Sequence, residues 1–356
     1  MFKESTLRVE TSLAGRARDF LTDDLSNLVP ERPAAMPRVT AIVVTFQSED
    51  TLKANVASVR RCHEARVLDC IYVDNGSQDN SLEMLRRESD WATVVFTGRN
   101  NGFGRGCNIG LAKVTSPYTL FLNPDAVIEP EAIRGMTEFL DANPEVGIVG
   151  PATYCGAQGR PPSHQVTSAL PTPWSVIRAA IPLLGNPGVF RQIIPGSEPF
   201  KTGWVCGAVM MIRTDLALSL GGFDPHFFLY SEEIDLCLRA ADLGFETWAL
   251  GTVTARHIGG ASSAHDGTKK SGCIGKHYYQ SRHYYMIKHH GWAAATFAEL
   301  GEFGLICIGT VADLVRGKGY SRLRPRLQAP LLSLPSEDHL WPAILNRAPN
   351  TRQTAQ

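Results

Sequence analysis

Apolar residues recur along this chain in two rhythms, and the rhythm changes wherever turn residues gather. Val39-Thr-Ala-Ile-Val-Val-Thr-Phe46 is apolar almost throughout, as a strand covered on both faces should be. From about Asp50 the pattern shifts to helical steps, with Leu52, Val56 and Val59 on one face. Leu68-Asp-Cys-Ile-Tyr-Val73 predicts a second strand that runs into Asp74-Asn-Gly-Ser77. A short strand, Thr93-Val-Val-Phe96, leads to Asn100-Asn-Gly-Phe-Gly-Arg-Gly-Cys-Asn108 and another helix. Tyr118-Thr-Leu-Phe-Leu122 reads as a buried strand that stops at Asn123-Pro-Asp125, because Pro124 cannot donate to a sheet ladder. A helix from Glu131 to Leu140 and a strand at Val146-Gly-Ile-Val149 follow. Strand and helix thus alternate four times within about 100 residues, which implies a mostly parallel sheet with helices on its faces.

Residues 155 to 200 are rich in Pro and Gly, and predict a mobile loop with a short helix near Trp174 to Ala180. Regular pattern returns at Gly203-Trp-Val-Cys-Gly-Ala-Val-Met-Met-Ile212. A turn at Gly221-Gly222 and an aromatic run to Tyr230 lead into a helix over Ser231 to Arg239. Its spacing predicts a buried face of Ile234, Cys237, Leu238 and Ala241. A last strand, Glu246 to Ala255, ends at Arg256-His257. Trp292 to Val315 is apolar but interrupted by Glu299, Glu302 and Asp313, and Arg316, Lys318, Arg322, Arg324 and Arg326 come after it. Its longest charge-free run, Phe303 to Ala312, is half of the ~20 residues a membrane span needs. An interfacial helix with a basic flank and a helix packed on the preceding domain both fit.

Composition narrows the class. Hydrophobic residues make up 44% and charged residues 20%, which allows a sizeable core, and a formal net charge of zero argues against nucleic-acid binding. The eight cysteines form no CxxC pair, which excludes the usual structural zinc spacing and fits reduced thiols in a cytoplasmic protein. The first residues lack a signal-peptide core, and residues 1–37, closing with Pro30, Pro33 and Pro37, read as a tail or adaptor.

Several polar elements fall at strand ends: Asp74, the 100–108 loop, Asp125 and His257. In a parallel sheet such ends share one edge and converge on one ligand. Asp74, an acceptor only, suits the imide N–H of uracil or thymine. Gly102, Gly104 and Gly106 let backbone approach a flat or anionic group. Asp125 and His257 together suit one metal ion that neutralises a diphosphate leaving group. Glu232-Glu233, opening a helix beside this edge, offers a general base. Each has a plainer alternative: a turn-forming Asp74, a capping Asp125, a hydrogen-bonded His257, and a first-turn charge on the helix dipole.

These stretches resemble the family 2 inverting glycosyltransferases of the GT-A fold, and among them the rhamnosyltransferase-like members. The motifs are Val43-Val-Thr-Phe46, Val73-Asp-Asn-Gly-Ser77, Asn101 to Gly110, Asn123-Pro-Asp125, Gly222 to Arg239 and His257-Ile-Gly-Gly260. The resemblance spans roughly residues 39 to 290 and implies a Rossmann-like, mostly parallel α/β sheet with a C-terminal helical extension. It divides the chain into a domain at 38–290, with a nucleotide-binding half at 38–127 and an acceptor and catalytic half at 128–290. Residues 291–356 form the helix and tail. By resemblance, Asp74 reads the nucleotide base, with Thr45, Phe46, Asn75, Gly76, Ser77, Asn101, Gly102, Gly104, Asn108 and Asn123 around the nucleotide-sugar. Asp125 and His257 hold a divalent cation, Mg²⁺ or Mn²⁺. Glu233 stands where many members have an aspartate base, one methylene longer here, and Trp204, Gly207 and Glu232 lie on the acceptor side.

The implied reaction moves one sugar from a UDP- or dTDP-sugar, with dTDP-rhamnose favoured by resemblance alone, to a saccharide or lipid-linked acceptor. A protein in the cytoplasm, or peripheral on the cytoplasmic face of the inner membrane through 292–326, is expected. A nicotinamide oxidoreductase is the rival from Gly102-Phe-Gly104, but Cys107 replaces the third glycine and Asp74, Glu233 and His257 go unexplained. A non-catalytic module would lack base or metal residues, and none is missing. A processive synthase is disfavoured because Gln280-Ser-Arg-His has the wrong spacing for the synthases' QxxRW motif.

Overall fold

The strand β1, Val39–Thr45, is buried at every position and lies between two parallel neighbours, as its unbroken apolar run requires. A computed structural model describes residues 37–155, 163–164, 166–181, 190–257, 275–317, 319–320, 323–327 and 330–334. The chain divides into two compact units, residues 1–37 and 38–356, and the expected N-terminal tail lies outside the described residues except for Pro37. The motif residues after His257 also lie outside them.

Around β1 the second unit builds a mixed, mostly parallel sheet. Its strands are β2 (Leu68–Asp74), β3 (Thr93–Phe96), β4 (Tyr118–Leu122), β5 (Ala126–Val127), β6 (Val146–Cys155), β7 (Ser163–His164), β10 (Phe200–Thr202), β11 (Val209–Arg213) and β12 (Glu246–His257). The order is β10-β12-β6-β11-β4-β1-β2-β3, with β5 on β12 and β7 on β6. Strands β4, β1, β2 and β3 run parallel, as do β6 and β12. Strand β11 is antiparallel between β4 and β6, so it starts at the edge where the parallel strands end. β8 (Val166–Ser168) and β9 (Phe190–Gln192) form a separate antiparallel pair, where sequence pattern predicted a loop.

Alternation along β1 splits the core. Val39, Ala41 and Val43 pack against Leu52, Val56 and Val59 of α1 (Glu49–Glu64) and Ile133, Met136 and Leu140 of α4 (Pro130–Ala142). Ile42 and Val44 face the other cluster, with Cys107 and Leu111 of α3 (Phe103–Leu111) and Leu236, Cys237 and Ala240 of α7 (Glu232–Asp242). Truncating Leu52 or Leu236 to Ala removes about 2–5 kcal/mol of stability. Between them, α2 spans Ser81–Glu88, α5 Pro173–Ala179 and α6 Thr214–Ser219.

One prediction needs correction. The buried face of α7 is Glu232, Asp235, Leu236, Cys237 and Ala240; Ile234 and Leu238 are half-buried and Ala241 is exposed. The helix is rotated because Asp235 turns inward to meet Arg239 at 2.8 Å, Lys288 at 2.6 Å and His289 at 2.7 Å. The patterned stretch at 203–212 carries the start of β11 at Val209, after a turn at Gly207 and Ala208.

Helices α8 (Lys276–His290) and α9 (Trp292–Val315) complete the described unit, with the short α10 at Leu323–Arg326. Lys288 of α8 also reaches Asp224 at 2.6 Å, so α8 is clamped to the segment that enters α7. Tyr285 and Met286 of α8 pack with Ala295 and Ala298 of α9, Val176 of α5 and Phe227. Among the described residues no helix is long and apolar enough to cross a membrane.

Candidate active site

The Asn123-Pro-Asp125 turn is held from beneath. Fully buried Asn55 donates from Nδ2 to the carbonyls of Asn123, at 3.1 Å, and Ala126, at 2.9 Å. Tyr72 in turn donates its hydroxyl to Asn55 Oδ1 at 3.2 Å. The Asn123 N–H donates to Ala208 O at 2.9 Å, which ties the turn to the start of β11. After the turn, β5 pairs with the end of β12, and this register sets Ala126 opposite His257. Asp125 Oδ1 therefore lies 3.0 Å from His257 Nε2, with Asn123 Nδ2 3.4 Å from the same nitrogen.

Asp125 is buried, and its Oδ1 accepts no hydrogen bond among the described residues. A buried carboxylate oxygen without a donor, beside an imidazole nitrogen, fits a hard divalent cation whose remaining ligands are phosphate oxygens and water. Among the described residues no group of three or more His, Cys, Asp and Glu side chains converges, so the protein offers a small ligand set here. That suits Mg²⁺ or Mn²⁺ shared with a diphosphate better than an all-protein cage.

The loop after β2 is satisfied internally. Asp74 is fully buried; its Oδ2 accepts from Thr45 Oγ1 at 3.0 Å, and its Oδ1 from the N–H groups of Gly76, at 3.2 Å, and Ser77, at 3.0 Å. Asn75 Nδ2 donates to Gly102 O at 2.8 Å, and Asn101 Nδ2 to Arg99 O at 3.0 Å. Asn108 reaches the segment that precedes α7, donating to Phe223 O at 2.7 Å and accepting from Phe223 N–H at 2.8 Å. Gly102 sits at φ +81°, and a Cβ there would meet Phe228 O at 2.3 Å. The adjacent Phe103 N–H donates to that same carbonyl at 3.1 Å, so the glycine lets the loop bind the strand of chain that leads to Glu232.

That chain reaches α7 through two non-glycine residues in left-handed backbone, Tyr230 at φ 72° and Ser231 at φ 67°. Backbone of this kind persists where the surroundings over-determine it, and it aims the first turn of α7 inward. Glu232 is buried, and its Oε2 has no hydrogen-bond partner among the described residues. Burial first, then the neighbouring Glu233 charge, pushes the Glu232 carboxyl well above its usual range. Burial likewise raises Glu233 to about 7, the range of an effective base at neutral pH.

Two cavities meet at this corner. One, of about 250 Å³, is lined by Val44, Phe46, Asn75, Asn123, Asp125 and Glu232, among others. The other, of about 680 Å³, is largely apolar and has Val176, Phe190, Trp204, Tyr278 and Tyr285 in its walls. Cys206, Tyr230, Glu233 and His257 line both.

Of the residues expected from sequence, Phe46, Asn75, Gly102, Asn123, Asp125, Gly207, Glu232, Glu233 and His257 come together on the smaller cavity. Trp204 lines the larger one, its Nε1 donating to Ser168 Oγ at 2.8 Å. Thr45, Asp74, Gly76, Ser77, Asn101, Gly104 and Asn108 are not among the lining residues; their described contacts shape the loops behind it. Gly104 faces Phe223, whose Cβ would lie 3.0 Å from an added Cβ. Sequence reasoning missed Asn55, Tyr72, Cys206, Tyr230 and the walls contributed by α5, β9 and α8. The aromatic run ending at Tyr230 was the one available signal, since the others depend on chain crossings.

The chain is 24% identical over 272 residues to the N-acetylglucosaminyl-diphospho-decaprenol L-rhamnosyltransferase of Mycobacterium tuberculosis, covering 70% of this chain and 85% of that one. It is 26% identical over 180 residues to the rhamnosyltransferase WbbL of Escherichia coli, covering 47% and 66%. Among solved structures, GalNAc-T7 with UDP, GalNAc and Mn²⁺ superposes with a TM-score of 0.52 at 14% identity, covering 89% of this chain and 66% of that one. This is a likeness of fold, the GT-A glycosyltransferase fold. The sequence pattern described as glycosyl transferase family 2 matches residues 40–219, and the chain belongs to that family.

Proposed function

We propose that this glycosyltransferase moves one sugar, with inversion, from a nucleoside diphosphate donor to a hydroxyl of a saccharide or lipid-linked acceptor. The observation that carries the reading is Glu233 at the junction of the two cavities. The smaller cavity, with Phe46, Asn75, Asn123 and Asp125, takes the donor. The larger, with aromatic faces at Trp204, Tyr230 and Tyr278, takes the acceptor, since aromatic faces suit the apolar sides of a sugar ring.

In this reading Glu233 accepts the proton of the acceptor hydroxyl as its oxygen bonds to the anomeric carbon. The carbon–oxygen bond to the diphosphate breaks on the opposite face, and the nucleoside diphosphate leaves. A divalent cation held by Asp125 and His257, with Asn123 beside it, supplies positive charge to the diphosphate oxygens when bound. Asp74, fully buried and holding Thr45, Gly76 and Ser77, orders the loop that carries Asn75 to the donor cavity, and through that loop shapes the pocket for a uracil or thymine base. The names of the two relatives support rhamnose as the sugar transferred and a lipid-linked acceptor.

A donor screen tests the proposal. Thermal stabilisation and donor hydrolysis with UDP-, dTDP- and GDP-sugars are expected to favour the first two. The response is about 2.7 kcal/mol at a hundredfold excess over the dissociation constant. A response to GDP-sugars alone overturns the preference for a uracil or thymine nucleotide, and a response to UDP-sugars alone overturns only rhamnose.

A further inference from the structure

Helix α9 is folded with its polar stripe inward. Glu299, Glu302 and Asp313 are all buried. Arg282 donates to Glu302 Oε1 at 2.7 Å and to Glu299 at 3.4 Å, and Arg326 also pairs with Glu299. The opposite stripe, stepping by three and four residues, is Ala293, Phe297, Leu300, Gly304, Ile308, Val311 and Val315. Along it Phe297 is 64% exposed, Ile308 68%, Val311 61% and Val315 84%. A helix on the surface of a water-soluble domain has the reverse polarity. An apolar stripe running the length of a helix about 36 Å long marks a docking face.

The charges around the stripe select its occupant. Trp292 is exposed at its start, and Arg316 and Arg324 are exposed after its end, with Tyr320 and Leu327 exposed between and beyond them. Among the described residues from 292 to 334 every acidic side chain is buried. A second copy docked by this face would bring guanidinium groups together with no acid on the face to receive them. An anionic lipid surface supplies apolar chains for the stripe and phosphates for the arginines, with tryptophan and tyrosine at the headgroup level. No described helix spans a bilayer, so the helix lies in the plane of the interface.

We infer that α9 docks the protein on an anionic bilayer, with the Phe297–Val315 stripe at the boundary of headgroups and acyl chains and Arg316 and Arg324 on lipid phosphates. The inward face of α9 packs on the wall of the larger cavity: Ala295 and Ala298 cluster with Val176 of α5, and Ser175, Val176 and Ala179 line the cavity. The inference stands on this surface and holds whichever sugar is transferred.

Cosedimentation of the full chain with phosphatidylglycerol-containing vesicles and with pure phosphatidylcholine vesicles tests it. The wild type is expected to sediment with the anionic vesicles, less so at high salt. The triple variant Phe297→Asp, Ile308→Asp, Val311→Asp is expected to partition at least about tenfold more weakly, at an unchanged melting temperature, because the replaced side chains are exposed. Arg316→Glu with Arg324→Glu is expected to remove the preference for anionic vesicles without touching the apolar stripe. Equal partitioning of wild type and triple variant overturns the inference. So does a dimer that the triple variant dissociates in a protein that ignores vesicles, which makes the stripe an interface between copies.

Discussion

Asp74 and Glu232 are buried acids at one sheet edge, and the fold treats them in opposite ways. Asp74 accepts from a hydroxyl and two backbone N–H groups, each such bond to a charged group contributing about 1.5–3 kcal/mol. Among the described residues Glu232 keeps one carboxyl oxygen without a partner beside a second carboxylate, and Asp125 keeps one whose neighbour is His257. Buried polar atoms are normally satisfied, so the exceptions need a reason. The satisfied loop shapes the smaller cavity, whereas the corner leaves buried polar atoms for a ligand to satisfy. Clamps from outside hold that corner: Gly102 against Phe228, and α8 against α7 through Asp235.

The largest effect that separates the regions is expected at Glu233. Glu233→Gln should leave donor affinity intact and lower turnover by about 10²–10⁴. Near-normal turnover in that variant, with Glu232→Gln inactive, would assign the base to Glu232 instead. Next comes Asp125→Ala, expected to weaken donor binding and turnover together by about 10²–10³, with excess chelator doing the same to the wild type. Full activity in chelator removes the cation from the account. Asn55→Ala then sharpens the comparison from below. It frees the carbonyls under the Asn123-Pro-Asp125 turn and should cost about 10–100-fold in activity and about 1–3 kcal/mol of stability. Loss of stability without loss of activity would make Asn55 a core residue only.

Local pattern predicted what local physics decides. β4 starts and stops where its apolar run and Pro124 require, and Leu52, Val56 and Val59 of α1 face the core as their spacing demands. The corner itself was legible as residue types at strand ends, because parallel strands bring their ends to one edge. What escaped depends on distant partners. Asn108 read as a ligand contact but spends both ends of its amide on Phe223, 115 residues away. Spacing alone gave α7 the wrong buried face, since Asp235 turns inward to partners on α8. The stripe of acids on α9 was visible, yet its inward direction is set by Arg282 and Arg326 on other helices. Phe190 lies in a stretch with no period to read, and the short helix expected near Trp174 to Ala180 formed as α5 without a signal that it would wall the larger cavity.

The smallest of the expected effects is the most specific, because a purely structural glutamate would not produce it. Burial raises Glu233 to about 7 and holds Glu232 well above its ordinary range, so between the ordinary 4.5 and about 7 the folded protein binds more protons than the unfolded chain. Stability therefore falls as pH rises through that window, and Glu233→Gln should flatten the fall. Transfer runs the other way, because the acceptor's proton needs a carboxylate to receive it. The pH dependence of kcat/KM is the direct test of the central claim that Glu233, at the junction of the two cavities, is the base. The account predicts a limb that rises about tenfold per pH unit to a midpoint near 7, and that is absent from the residual activity of Glu233→Gln. A flat profile from about pH 5.5 to about pH 8.5, or the same limb surviving in that variant, would contradict it.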